Sequence, residues 1–409
     1  MKNYDVIIIG AGFAGLSVAA NLSDSKLNVL LVEKNKKPGL SENPVRGTFR
    51  ETIKKYKLEK SLIRCYKKVY FYGTESRAEI NINSKVCLFD SSRMLDILKK
   101  RIKCSVIVNC EIVNVKRKND ALVLIDNNKK EYSAKLVVDA SGRGSVAAQS
   151  LGVEKSRTHC SCYIAMLDNC RLDPAVGYYF VSNKISTAAA WLEPLSGSKC
   201  QIGIADFIPY ALPTKEDMRR RLINLMHNFK PAKDLIGNAK ILKNTEKKIT
   251  YPAGPVSKMA LDNLIVIGDA AGQATPFLGE GVRICLKMSD AAADLIKKAF
   301  KKQDFSEGFL DKYGKIWWNK FGKYAVWDIL LRHFTANNFK DREWNITVKN
   351  LNALAKKEKD KFIKSQLDYS IVRKLLSFEI TKNVSEGIIA KHFKNINLLR
   401  KKYFVSHFV

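Results

Sequence analysis

Three apolar runs of strand length, far apart in the chain, each stop at small or acidic residues. The run in "YDVIIIGAGFAGLSVAANL" stops at Gly10, the run in "AKLVVDASGRGS" at Asp139, and Leu264, Ile265, Val266 and Ile267 at Gly268 and Asp269. Their length and β-branched content predict buried strands. After Gly15 the first run passes into a helical pattern, and "LNVLLVEKN" supplies a further strand ending at Glu33. A different pattern, residue-by-residue alternation, runs through "YFYGTESRAEINI" and through roughly 156 to 250, and it predicts antiparallel strands. Within it, "TKEDMRRRLINLMHNF" reads as an inserted helix capped by Thr214. From "SEGFLDKYGKIWWNKFGKYAVWDILLRHF" onward the chain turns helical, aromatic and basic. Trp317, Trp318, Phe321, Trp327 and Phe334 recur there at near-helical spacing. Packing onto the first domain is the expected use of that surface; a membrane-facing or lipid-lining role is the alternative.

The turn after the first strand, Gly10-Ala11-Gly12-Phe13-Ala14-Gly15, has the spacing of a dinucleotide-binding fingerprint. Gly10 permits a tight turn, Gly12 lets backbone approach a pyrophosphate, and Gly15 lets the helix lie close to the sheet. The helix N-terminus offers free N–H groups and a positive dipole end to phosphates. Glu33, at the end of the second strand, is placed to accept both ribose hydroxyls of an adenosine, and its charge disfavours a 2′-phosphate. Strand, helix, second strand and acid in this order predict a bound dinucleotide, and the fingerprint alone leaves FAD and NAD both open.

Taken with the segments around Asp139 and Asp269, the fingerprint resembles the FAD-binding signature of the para-hydroxybenzoate-hydroxylase-like flavoproteins. The resemblance implies FAD as cofactor. It places Asp139 and Gly142 near the pyrophosphate, and Asp269 on the ribityl chain. It places Gly279, Gly281 and Val282, in "GDAAGQATPFLGEGV", at the helix start beside the flavin's N1–C2=O edge. Donors there stabilise the negative charge of reduced flavin. Arg93 in "FDSSRMLDILKKRI" matches the arginine that opens the helix beside FAD, and Ala14 completes the fingerprint. The plain alternative for Asp269 is a helix N-cap.

Within that class the chain is similar to the geranylgeranyl reductase family over about residues 1 to 325. That family's third motif reads Gly-Asp-Ala-Ala-Gly, three residues, Pro, two residues, Gly-x-Gly-Ile, matched here with Val282 for Ile. A second mark, aromatic-x-Trp-x-Phe-Pro with glycine after eight residues, keeps Trp191, Pro194 and Gly203 but has Ala189 and Glu193 at the two remaining positions. "NPVRGTFRE" aligns with a family loop reading Pro-Val-x-Cys, which puts Arg46 and Gly47 at the flavin and removes the cysteine. The implied reaction reduces an alkene by hydride from flavin N5 with protonation of the neighbouring carbon. Trp191, Pro194 and Glu280 are the expected catalytic residues. Glu193 would be a proton donor if buried, but a surface strand position is the default expectation.

The resemblance implies an α/β fold: an FAD-binding Rossmann-like domain of glutathione-reductase type (1–75, 86–155, 255–310), interleaved with an antiparallel-sheet substrate domain (76–85, 156–254) and followed by a helical region (311–409). Its 409 residues are 46% hydrophobic, globular in composition and too many for one core. No apolar run approaches the roughly 18 to 20 residues of a spanning helix, and "MKNYDVIIIGAG" reads as a strand rather than a signal peptide. Nine scattered cysteines predict reduced structural thiols, no metal and no iron–sulfur site. The net charge of +31 suits a polyanion such as an anionic membrane surface, or reflects a lysine-rich composition. Expected partners are an isoprenoid lipid and an external electron donor: NAD(P)H, ferredoxin or another reduced carrier. Nucleic acid is not expected, since no RNA-recognition motif accompanies the charge. The expected location is the cytoplasm, at the inner membrane face. The alternatives are a monooxygenase or halogenase-type hydroxylase on the same scaffold, or a carotenoid-type cyclase.

Overall fold

The computed structural model describes residues 2–82, 86–154, 156, 158–208 and 213–383. In it the three apolar runs become neighbours in one sheet. Its strand order is Ala260–Leu261, Leu264–Val266, Glu131–Asp139, Lys2–Ile9, Val29–Val32 and Ser105–Ile107. Ile112–Lys118 and Ala121–Asp126 extend it as an antiparallel flap on Glu131–Asp139. From Leu264–Val266 to Ser105–Ile107 the pairing is parallel. Helices Phe13–Leu22 and Val282–Lys302 share the core with these strands, and Val6, Ile7, Ile8, Leu30 and Leu31 are fully buried. Burial on both faces is why these strands read as unbroken apolar runs.

Register fixes where the functional residues emerge. Ile9 is opposite Val32 on one side and Asp139 on the other, and Asp139 is opposite Val266. The strands therefore end at one level, and Gly10, Glu33, Ala140 and Ile267 leave along one edge. Ligands of open α/β sheets bind at that edge.

The second sheet runs Lys240–Ile241, His159–Asp168, Cys200–Ile208, Ala189–Pro194, Val176–Phe180, Lys68–Tyr72 and Arg77–Asn81, with Lys247–Pro252 also on His159–Asp168. It is antiparallel except where Val176–Phe180 meets Lys68–Tyr72. One face packs on helices Lys215–Asn228 and Lys230–Ile236 through Leu192, Ile202, Met218 and Leu222. The expected cap is present: Thr214 Oγ1 accepts the Asp217 N–H at 3.0 Å. The other face looks toward the first domain.

The described part of the helical region, through residue 383, packs its aromatic residues rather than presenting them as a surface; the expected helical stretch 384–409 lies outside the described residues. Trp317 and Phe321 are buried in the core of the first sheet, and Phe334 lies with Trp344 and Leu351 against Val69 and Phe71. Arg332 joins the parts: its Nη1 donates to the Ala188 carbonyl at 2.8 Å and its Nε to the Phe277 carbonyl at 3.1 Å. The expectation of reduced thiols is corrected for four cysteines, which form the disulfides Cys65–Cys87 and Cys170–Cys200. These pairs are 22 and 30 residues apart; strand pairing sets Cys65 opposite Cys87, and Cys170 lies just past the strand His159–Asp168 that pairs with Cys200–Ile208. Among the described residues no helix is long and apolar enough to cross a membrane, and no His, Cys, Asp and Glu cluster could hold a metal.

Candidate active site

The edge where the parallel strands end is lined by turns with little side chain. Gly10 has φ +96°, and a Cβ on Gly15 would overlap the Gly10 carbonyl oxygen, so both glycines are demanded by the fold itself. Gly12 is different, because a Cβ there meets nothing within 4 Å. It opens onto the space before helix Phe13–Leu22, whose first turn has neither a side-chain cap nor an acid. Unpaired N–H groups and the positive end of the helix dipole face that space. Ala14 is pressed against the third motif: a Cβ on Gly268 would lie 2.9 Å from its methyl. Glu33 is buried at the strand end, accepting Ala11 N–H at 2.7 Å, Asn35 N–H at 2.9 Å and Asn35 Nδ2 at 2.7 Å. A carboxylate has about four acceptor positions, so room for a further donor remains.

Two expected cofactor residues are placed otherwise. Asp139 is fully buried, and its carboxyl accepts from Ser141 N, Ser141 Oγ and Ala148 N. It shapes the loop that carries Gly142, where a Cβ would meet open space, and does not itself face that space. Burial raises its pKa, against the pull of those donors. Arg93 lies on the surface of helix Ser91–Lys99, its side chain 68% exposed and 3.6 Å from Asp90.

The third motif forms a tight turn, Gly268–Ala271, in which the Asp269 carboxyl has no hydrogen-bond partner among the described residues. Burial raises its pKa and the nearby Arg46 guanidinium opposes that shift. Arg46 is itself incompletely served: its Nε is buried without a partner, and its guanidinium sits 5.5 Å from the Phe13 ring centroid. Gln273, which sequence reasoning missed, locks the turn by accepting Gly268 N–H at 2.9 Å and donating to the Tyr313 hydroxyl at 3.0 Å. Beyond it, a Cβ on Gly279 would strike the Tyr251 hydroxyl. Gly281 precedes helix Val282–Lys302, and Val282 is buried in its first turn. Glu280, expected among the catalytic residues, is committed elsewhere. Its oxygens accept Arg283 N–H at 2.8 Å and Arg283 Nε at 2.9 Å, closing the helix end.

A cavity of about 250 Å³ lies between this turn and the second sheet, lined by Arg46 and Gly47 on one side and Gly279 on another. Strand register arranges the sheet's inner face in rows, because opposed residues share a face. Tyr251 is opposite Cys160. Ala189 is opposite Ala205, which is opposite Cys162. Phe71, Tyr179, Trp191 and Gly203 form the next row, followed by Glu193 with Gln201. Trp191 is half-buried and its indole lies over Gly203, where a Cβ would overlap the ring. That contact explains why Trp and Gly occur together in the segment. The far wall is supplied by Trp344, Leu351 and Phe362 of the helical region. Phe71 stacks on Tyr179 at 5.1 Å and meets Phe362 edge-on at 5.5 Å.

Pro194 is not part of this wall. It is buried behind it, its carbonyl accepting the Tyr66 hydroxyl at 3.2 Å. Glu193 reverses its expected place: it is 7% exposed, lines the cavity, and accepts from Gln201 Nε2 at 3.2 Å and from the Tyr179 hydroxyl at 3.4 Å. Burial lifts its pKa to about 7, against the pull of those two donors.

A family model described as "Lycopene cyclase protein" matches residues 5–164. The digeranylgeranylglycerophospholipid reductase of Methanococcus vannielii is 25% identical over 348 residues, covering 80% of this chain and 85% of the relative. The reductase of the same name from Methanocaldococcus jannaschii is 24% identical over 417 residues, covering 96% and 98%. A solved geranylgeranyl bacteriochlorophyll reductase-like protein from Thermoplasma acidophilum has a TM-score of 0.78 at 16% identity, covering 97% of this chain and 100% of that one. A probable FAD-dependent monooxygenase from Pseudomonas aeruginosa has a TM-score of 0.64 at 15% identity, covering 85% and 100%. The fold is thus one shared with a geranylgeranyl bacteriochlorophyll reductase-like protein and with a probable FAD-dependent monooxygenase. Sequence likeness to the digeranylgeranylglycerophospholipid reductases runs over most of the chain, and likeness of fold to the geranylgeranyl reductase-like protein over nearly all of it.

Proposed function

We propose that the protein is an FAD-dependent oxidoreductase that reduces isoprenoid C=C bonds of a geranylgeranyl lipid, of the digeranylgeranylglycerophospholipid type that its relatives are named for. The observation that carries this reading is the cavity, apolar over most of its wall and running from Gly47 in the strand Val45–Phe49 and the Gly279 turn to the aromatic wall of Phe71, Trp344 and Phe362. The residues fit FAD. Gly12 and the uncapped helix start would take the pyrophosphate, Glu33 the ribose, and the unpartnered Asp269 a ribityl hydroxyl. Gly47, Gly279, Gly281 and the orphaned Arg46 Nε would border the ring system. Reduced FAD bound there supplies hydride. The chain's own contribution is to exclude water with Phe71, Trp191 and Trp344, to hold the prenyl chain extended along the rows of the sheet, and to deliver a proton. Electrons reach the protein from an external reduced carrier.

The test is anaerobic. Protein reconstituted with FAD and reduced by dithionite is mixed with a geranylgeranyl phospholipid, and the flavin is expected to reoxidise as saturated lipid forms. Reoxidation by oxygen alone, with hydroxylated or halogenated product, would instead establish the monooxygenase or halogenase reading.

The net charge of +31 leads to a second expectation, docking on an anionic bilayer from the cytoplasmic side. Binding to anionic vesicles is expected to fall steeply with salt, since the Debye length shrinks to about 3 Å at 1 M. Equal sedimentation with neutral and anionic vesicles would reduce the charge to composition.

A further inference from the structure

Alkene reduction needs a proton as well as a hydride, and the cavity wall offers few groups able to give one. Glu280 is bound by Arg283 at two points. Burial pushes the phenols of Tyr179 and Tyr251 well above the ordinary range for tyrosine. Cys162 is pushed up by the Cys160 thiol beside it and by burial. Arg46 and Arg332 are cations. Glu193 and Cys160 remain.

Glu193 is built for the task in a way Cys160 is not. It stands one register step beyond Trp191, on the face that lines the cavity. Gln201, on the paired strand, makes its one side-chain hydrogen bond to Glu193 and leaves its own Oε1 unpartnered. Tyr179 donates from the other neighbouring strand. Both are donors, so they stabilise the anion that remains after the proton leaves. Among the described residues, the titratable groups facing Glu193 are Tyr179 and, from behind, Tyr66, both phenols pushed upward by burial, and no cation acts on its carboxyl.

We propose that Glu193 is the proton donor of the reduction, set in the channel wall by Gln201 and Tyr179 to protonate the alkene carbon next to the one that takes the hydride. This rests on the reductase reading above. The step balances: one carbon receives a hydride, whose two electrons come from reduced flavin. The alkene π pair forms the second C–H bond with the Glu193 proton. The carboxylate left behind is held by Gln201 and Tyr179 and regains a proton from water. Burial that keeps Glu193 protonated to about pH 7 agrees with this role, and the sign follows: turnover is full below that value and falls as pH rises through it.

The experiment compares wild type, Glu193→Gln and Cys160→Ser, each loaded with FAD and assayed on a geranylgeranyl phospholipid. Glu193→Gln preserves size and is expected to lower kcat by about 10²- to 10⁴-fold, with FAD and lipid binding retained. Glu193→Asp should restore part of the rate together with a falling limb above neutrality. A readout independent of turnover is infrared titration of the unloaded protein. Burial also lifts the Asp328 carboxyl to about 7, so the protonated carboxyl absorption at pH 6 should have two parts that vanish as pH rises through about 7, and Glu193→Gln should lose one of them while Asp328→Asn loses the other. Wild-type turnover unchanged in Glu193→Gln, or lost instead in Cys160→Ser, overturns the proposal and leaves the reductase reading standing. Wild type that reduces no lipid overturns both.

Discussion

Replacing Gly12 by valine is expected to give a protein that folds but does not hold FAD. A Cβ at Gly12 meets nothing within 4 Å, and its backbone, at φ −82° and ψ −164°, is extended and open to a β-branched residue. The cost to the fold is loss of a glycine N-cap, a few tenths of a kcal/mol to about 1 kcal/mol. The cost to the cofactor is much larger, because the isopropyl group would stand where the pyrophosphate approaches the helix N-terminus. Gly15→Ala gives the opposite result. Its Cβ would overlap the Gly10 carbonyl, so helix Phe13–Leu22 must lift from the sheet and melting temperature must fall. Measuring flavin occupancy and apo-protein melting on both variants separates the two roles. Gly12→Val that retains wild-type FAD occupancy would show that this turn does not bind the cofactor.

The contrast also marks how far the sequence could be read. The spacing of Gly10, Gly12 and Gly15 and the apolar runs ending at Glu33, Asp139 and Gly268 are local signals, and the parallel sheet uses each at its carboxyl edge. Which of those residues face the cofactor space is not local. Asp139 and Asp269 look alike as acids ending strands. Only the loop carrying Ser141 and Ala148 turns one carboxyl inward, while the turn locked by Gln273 leaves the other unpartnered. Glu280 and Glu193 exchanged roles for the same kind of reason. The motif that placed Glu280 among the expected catalytic residues also supplies Arg283 three residues on, whereas Glu193 in an alternating strand reads as solvent-facing until the helical region is seen to cover that face. Trp344, Leu351 and Phe362, which close the cavity, come from a part of the chain with no motif at all. The disulfide partners were invisible for the same reason, since segments 22 and 30 residues apart meet only in the folded sheets.

Trp191→Ala is expected to separate lipid turnover from flavin binding. The indole lies over Gly203 in the middle row of the sheet's inner face and fronts the cavity, while the residues that would hold FAD sit on the opposite wall. Removing it widens the channel where the prenyl chain must lie straight. Misplacing a reacting bond by about 1 Å costs on the order of 10²-fold in rate, and a loss of that size in lipid reduction is expected with FAD occupancy unchanged. A tryptophan that served only as core would behave otherwise, costing roughly 3 to 5 kcal/mol of stability on truncation, with melting temperature and flavin content falling alongside activity. Because Trp191 is only half-buried, the drop in stability should be well short of that range. Gly203→Ala checks the same contact from below. Its methyl would overlap the indole and push it into the channel, so preference should shift toward shorter or less branched prenyl chains without loss of the flavin. If Trp191→Ala reduces the lipid at the wild-type rate, this row of the sheet is not the substrate channel, and the substrate must reach the flavin from another side.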